Sequence, residues 1–182
     1  MRGLELRGER LSLKPFGPMH LAQTRRWVAD PEVARWLLPA WPLLPLSWEE
    51  WLNRVYTSPD SIHFAIVLHD GRHIGNCSLH TIRWREKIAE LGIVVGEKDC
   101  WGKGYGPEAL RLLLDYAFHE LGLVKVVLHV HRDNHRAIRA YKKTGFVEAR
   151  EPWLFRVLRA WPEAGIMTMV VDAESWVGAP AR

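Results

Sequence analysis

The spacing of apolar residues changes along this chain, and the changes mark out its elements. Arg10-Leu11-Ser12-Leu13-Lys14 alternates polar and apolar positions, which predicts a first strand stopped by Pro15. Asp30-Pro31-Glu32-Val33 sets an Asp cap before a first-turn proline, so a helix is expected to start there. The prolines at 39, 42 and 45 forbid regular helix and make that stretch a stiff loop. Ser47-Trp48-Glu49-Glu50 is a capping box that opens a second helix, reaching to about Tyr56.

The middle of the chain reads as strands. Ile62–His69 and Arg72–Ile82 flank Asp70-Gly71, a hairpin turn, and Lys87–Gly96 follows after a polar turn at 83–86. The period then changes to that of a helix. Leu110, Leu113, Leu114, Ala117, Phe118 and Leu121 form one apolar face, with Pro107 near the start and Gly122 just past the end. Val124–His131 is rich in β-formers, Asn134 can cap a helix running to Thr144, and Gly145 ends it. Phe146–Arg150 and Ile166–Val171 complete the strands. Meander strands followed by strand–helix–strand crossovers predict an α/β fold with a mixed sheet, not a doubly wound parallel one.

Composition narrows the class. At 182 residues, with 48% hydrophobic and 25% charged residues, the chain is expected to be one globular domain over 1–182. Two cysteines, Cys77 and Cys100, are too few for a disulfide scaffold or a four-cysteine zinc site. That scarcity, with no signal-like start and no membrane-length apolar run, fits a cytoplasmic protein without a membrane partner. The net charge of +4 is too mild to predict direct nucleic-acid binding. His129, His131 and His135 have no acidic or cysteine partner at ligand spacing, so no metal is expected. Ten tryptophans are unusual, and five of them fall between Trp27 and Trp51.

Candidate chemistry begins at Trp101-Gly102-Lys103-Gly104-Tyr105-Gly106, which joins a strand to a helix. Alternating glycines let the backbone turn tightly, so that N–H groups, the helix dipole and Lys103 converge on an anion such as a pyrophosphate. The spacing is neither the dinucleotide G-x-G-x-x-G nor a P-loop, which disfavours nicotinamide and ATP enzymes.

Glu90-Leu91-Gly92-Ile93-Val94-Val95-Gly96 and the glycine loop through Leu110 together resemble the acetyl-CoA-binding motif of the GNAT superfamily of N-acetyltransferases. Asn134-His135-Arg136-Ala137-Ile138-Arg139-Ala140-Tyr141-Lys142-Lys143-Thr144-Gly145-Phe146 resembles its second motif. The Trp-Gly-Lys-Gly-Tyr wording, with Asp30–Trp36 upstream, is most similar to the ribosomal-protein N-terminal (Rim-type) branch. The resemblance covers about Arg10 to Met169. It implies a mostly antiparallel mixed sheet with a splayed parallel pair, Lys87–Gly96 and Val124–His131, and about four helices. It also implies acetyl-CoA as co-substrate. The cofactor's arm would lie against Val94 and Val95 and meet Asn134, and its pyrophosphate would sit on Gly102, Lys103, Gly104, Tyr105 and Gly106. Arg132, Arg136, Arg139, Lys142 and Lys143 form a basic cluster that could meet its 3′-phosphate. Pro107 stands where the family commonly has Thr or Ser, so no hydroxyl contact is carried over.

Moving acetyl from a thioester to an amine needs a neutral amine, a stabilised oxyanion and a proton for the leaving thiolate. A backbone N–H near Val94 or Val95 can serve the oxyanion. Tyr141 matches the family's general acid. Glu90, fourteen residues before Gly104, matches the general base of histone-acetylating relatives. His129 is the rival base, at a position that carries a catalytic glutamate in some Rim-type relatives. The resemblance makes a protein N-terminal α-amine the leading acceptor. The alternatives are a small amine such as a polyamine or aminoglycoside, or a non-catalytic acyl-CoA-binding module. It also allows a homodimer. Trp36, Trp41, Trp48 and Trp51 either line the acceptor cleft or fill core, and the stretch Trp153–Gly165 is more apolar than in Rim-type relatives.

Overall fold

A computed structural model describes residues 4–37, 48–150, 165–176 and 178. The proline loop, Trp41, the Ser47 cap, the side chain of Trp48 and residues 153–164 lie outside them.

Eight strands form one sheet: β1 (Leu6–Arg7), β2 (Leu11–Pro15), β3 (Ile62–Leu68), β4 (His73–Arg83), β5 (Ile88–Val95), β6 (Lys125–His131), β7 (Val147–Glu148) and β8 (Ile166–Asp172). Their spatial order is β1-β2-β3-β4-β5-β6-β8-β7. Every pairing is antiparallel except β5 with β6. The α-helices among the described residues are α1 (Leu21–Ala29), α2 (Pro31–Ala34), α3 (Trp48–Thr57), α4 (Tyr105–Asp115) and α5 (His135–Lys143).

The expected mixed sheet and crossover helices are present, but the early helices differ. The Asp30 cap is real, its carboxylate accepting from the Glu32 N–H at 2.9 Å, yet the helix it opens is a single turn. The longer α1 precedes it, a helix the reading did not anticipate. It buries only Thr24 and Trp27, so its apolar stripe is too narrow to register as a periodic pattern. β1 is also new, a two-residue pairing with β2. The apolar face expected to run to Leu121 is continuous, but its last turn, Tyr116–Glu120, widens into a π-helix.

The alternation within strands gives the sheet two faces. Phe64, Ile66, Leu79, Leu91, Val126 and Leu128 face α4 and join the main core with Leu110, Leu113 and Leu114. Ala65 and Val67 face the other way and pack with Phe16 and Trp51.

β5 and β6 pair only at Ile88↔Lys125, Ala89↔Val126 and Glu90↔Val127. Beyond Glu90, β5 stays with β4 as far as Gly75↔Val95, while β6 stays with β8 as far as His131↔Ile166. The expected splay is therefore present, and the edge of β5 that faces β6 has, from Leu91 onward, no strand beside it among the described residues.

Candidate active site

A cavity of about 780 Å³ fills the wedge between β5 and β6. Glu90, His129, Val94, Val95, Gly102, Gly104, Tyr105, Gly106, Asn134 and Tyr141 all line it, so the structure gathers nearly every residue the sequence singled out. Lys103 does not: its side chain is exposed, and its carbonyl accepts from Arg10 Nη1 at 2.9 Å.

Register explains the polar end. His63 pairs with Ser78, Ser78 with Gly92, His80 with Glu90, and His129 with Thr168. Because side chains alternate, these residues share the face opposite α4 and form a polar stripe over the wedge. Glu90 Oε2 lies 3.9 Å from both His80 Nδ1 and His129 Nε2. Those gaps are too long for hydrogen bonds and wide enough for a small polar group to bridge. His129 Nδ1 is 3.0 Å from the Thr168 hydroxyl, and its buried Nε2 has no partner among the described residues. His80 Nδ1 is 3.2 Å from the Thr81 hydroxyl. Thr81 adopts a left-handed φ of 51° at a register shift in the β4–β5 ladder, and the resulting bulge re-aims the backbone beside His80.

Burial raises the Glu90 carboxyl above its ordinary value, opposed in part by the Thr81 hydroxyl and Arg83. The histidines move the other way. Burial, then His80, lowers His63 to about 4, and burial, then His129, lowers His80 to about 4. Burial lowers His129 as well. The stripe thus sets a carboxyl whose pKa burial raises among imidazoles whose pKa burial lowers.

Tyr141 comes from α5 on the opposite side of the sheet, where its ring meets Phe146 edge-on at 5.9 Å. Burial pushes its hydroxyl up to about 12, so it keeps its proton. The wedge is what lets one cavity touch both Tyr141 and the Glu90 face.

The glycine loop fits an anion. Gly102 and Gly104 have φ of 75° and 86°, and a Cβ at Gly102 would meet nothing within 4 Å. The N–H groups of Gly102, Lys103 and Gly104 have no acceptor among the described residues, and the N-terminus of α4 carries no side-chain cap. Sequence reasoning missed what holds this loop. Arg10 Nε reaches Glu108 Oε2 at 2.7 Å, and its guanidinium lies 4.8 Å from the Tyr105 ring. Asn134 Oδ1 caps α5 by accepting from the Ala137 N–H at 3.2 Å, and its amide donors have no acceptor among the described residues. Arg136 stacks on Trp101 at 3.6 Å, and Trp101 Nε1 donates to the Val95 carbonyl at 2.6 Å. Arg136, Arg139 and Lys143 bring positive charge to this end of the cavity, whereas Arg132 pairs with Glu148 at 3.0 Å. These features suit the phosphates and amide-bearing arm of acetyl-CoA.

The tryptophans divide. Trp36 and Trp51 line the cavity, and Trp51 is also core, edge-on to Phe16 at 5.3 Å. Trp27 is structural: it packs on Gly96, where no Cβ could fit, and donates to Glu97 at 2.9 Å. His63 and His80 were not picked out from sequence. The available signal was a histidine at a polar position in each of two adjacent predicted strands.

Among the described residues no group of three or more His, Cys, Asp or Glu is placed to hold a metal, and no helix is long and apolar enough to cross a membrane.

Residues 10–147 match the family model described as Acetyltransferase (GNAT) domain. The chain is 26% identical over 150 residues to an N-acetyltransferase 9-like protein of Caenorhabditis briggsae, covering 76% of this chain and 75% of that one. It is 36% identical over 81 residues to the spermidine N(1)-acetyltransferase of Escherichia coli K12, covering 44% of this chain and 43% of that one. The spermidine N-acetyltransferase of Vibrio cholerae, solved with CoA and spermine, superposes with a TM-score of 0.75 at 20% identity, covering 94% of this chain and all of that one. The chain belongs to the GNAT acetyltransferase family and is an acyltransferase whose co-substrate is acetyl-CoA.

Proposed function

We propose that this protein transfers the acetyl group of acetyl-CoA to the primary amine of a small molecule. The observation that carries the reading is the partly desolvated Glu90 at the point where β5 and β6 part, with neutral His80 and His129 on either side of one of its oxygens. The relatives named for spermidine support a small amine over the protein N-terminal α-amine of the Rim-type resemblance.

Acetyl-CoA supplies the acetyl group as a thioester. The chain's residues do the rest. Gly102–Gly106 and the N-terminus of α4 hold the phosphates, and the free edge of β5 at Val94 and Val95 aligns the arm and donates an N–H to the acyl oxygen. Asn134 offers its amide donors to the same arm. Glu90 accepts the amine's proton as the nitrogen–carbon bond forms and the carbon–sulfur bond breaks. The low-pKa imidazoles of His80 and His129 stay uncharged and keep a competing cation away from Glu90. His129 Nε2 is placed to accept a second amine hydrogen. Tyr141 delivers its proton to the departing sulfur. At about 12 the hydroxyl is fully protonated at neutral pH, the form a general acid needs, and it donates as negative charge builds on the sulfur.

Thiol release from acetyl-CoA, followed over a panel of primary amines with mass-spectrometric identification of the product, tests the reading. Acetylated amine formed in step with thiol is the expected result. Tight acetyl-CoA binding without transfer to any amine contradicts it and favours a non-catalytic module.

A further inference from the structure

We infer that Thr81 is a positioning residue for the base, its backbone held in a strained conformation so that its hydroxyl stands beside the Glu90 carboxyl. The inference rests on the function proposed above, in which Glu90 takes the amine's proton. Among the described residues, Thr81 and Lys87 are the non-glycine residues with a left-handed φ, at 51° and 56°. Lys87 lies in the turn between β4 and β5, where such a φ is at home. Thr81 lies inside β4, and a β-branched side chain resists that conformation more than most. A strained residue persists only where its surroundings hold it, and such residues gather at active sites.

The ladder shows what the strain achieves. From His80↔Glu90 to Arg83↔Ile88 it advances three residues on β4 and two on β5, so β4 carries an extra residue. Leu79 and Ile82 accordingly both join the core with Leu110, although they stand three positions apart. Simple alternation would send Thr81 into that core beside Leu79. The bulge leaves it on the face of His80 instead, where both line the cavity with Glu90. The Thr81 hydroxyl is 3.2 Å from His80 Nδ1 and lies against Glu90, where it favours the ionised carboxylate. A hydrogen on His80 Nδ1 donates to Thr81 Oγ1 and leaves the hydroxyl hydrogen for Glu90. Among the described residues the titratable or charged groups facing Glu90 are His80 and Arg83 of β4 and His129 of β6. Burial favours the protonated carboxyl, which cannot act as a base, and Thr81 offsets that burial.

The test is the titration of the Glu90 carboxyl, followed by NMR on the full chain with isotope-labelled glutamate and assigned by its loss in Glu90→Gln. Thr81→Val keeps the branched shape without the hydroxyl and is expected to move the Glu90 titration to higher pH. Thr81→Ser keeps the hydroxyl and is expected to hold that titration near its wild-type position. Thr81→Gly removes hydroxyl and strain together. It is expected to move the titration as Thr81→Val does, with a urea midpoint at or above that of the wild type. With an amine found in the panel above, Thr81→Val is expected to lose about five-fold or more in kcat near neutral pH, with its acid limb moved up and the acetyl-CoA Kd within about two-fold. Wild-type Glu90 titration and acid limb in Thr81→Val overturn the inference and leave the small-amine reading standing. A clearly lower urea midpoint in Thr81→Gly also overturns it, because the backbone was then not strained. A moved titration that leaves kcat and its acid limb unchanged contradicts Glu90 as the base, and the inference falls with it.

Discussion

In the proposed mechanism Glu90 and Tyr141 divide the proton work because burial acts on them in the same direction with different consequences. A raised carboxyl becomes a better base, and a raised phenol holds its proton more firmly. Tyr141→Phe keeps the ring packing on Phe146 and removes the only group the phenol contributes. It is expected to lower kcat by about 10²-fold while the acetyl-CoA Kd changes less than about two-fold, measured by steady-state kinetics and calorimetry. Turnover unchanged in that variant removes Tyr141 from the mechanism. His129→Gln tests the rival base. Its Nε2 accepts a hydrogen bond in the account above but takes no proton, so the variant is expected to raise the amine KM several-fold and to keep the wild-type pH dependence of kcat. At this scale the sequence motifs led to residues that line the cavity, as at Glu90, Tyr141 and Asn134. His63, His80 and Arg10 were hidden because their importance comes from register and from a contact between Arg10 and Glu108, 98 positions apart in the chain.

Among the elements, the glycine loop and α4 form one unit pinned by Arg10. Gly104 has φ of 86°, and a Cβ there would lie 3.2 Å from Arg10 Nη2. Gly104→Ala is therefore strained both in backbone and in contact. A stability loss of about 1–2 kcal/mol and a rise of at least ten-fold in the acetyl-CoA Kd are expected, read by chemical denaturation and calorimetry. Wild-type affinity in that variant means that the loop does not hold the phosphates. Elements with a strong period, α4 and the central strands, were legible to within a residue or two. α1 was not, since Thr24 and Trp27 alone are buried in nine residues, and Trp27 finds its partner in Gly96, far along the chain. The start of α2 was legible, but its single turn was not, because a good cap and a first-turn proline mark where a helix starts and say nothing about its length.

Across the whole molecule, buried imidazoles link stability to pH. Burial and His73 lower His20 to about 4, and His63 and His80 sit at about 4 for the reasons given above. Unfolded histidines titrate near 6.5, so between pH 6.5 and 4 the unfolded chain binds protons that the folded chain refuses. Stability is full above about 6.5 and is lost as pH falls toward 4. Glu90, with its raised value, works in the opposite direction but is one group against five, because burial lowers His73 and His129 as well. The Tm is expected to drop by several degrees between pH 7 and pH 5, and His20→Gln, which is remote from the cavity, to lessen the drop. A Tm that is flat over that interval contradicts the burial of these rings as neutral groups.

The central claim is that Glu90 accepts the proton of a small primary amine as acetyl is transferred. It is met most directly by kcat as a function of pH at saturating acetyl-CoA and a saturating primary amine found in the panel above, for the wild-type and Glu90→Gln proteins. The wild type is expected to lose activity on the acid side with an apparent pKa above that of an ordinary glutamate. Glu90→Gln is expected to lose about 10²-fold or more in kcat and the acid limb with it. A Glu90→Gln protein that turns over at the wild-type rate, with the same acid limb, contradicts the claim.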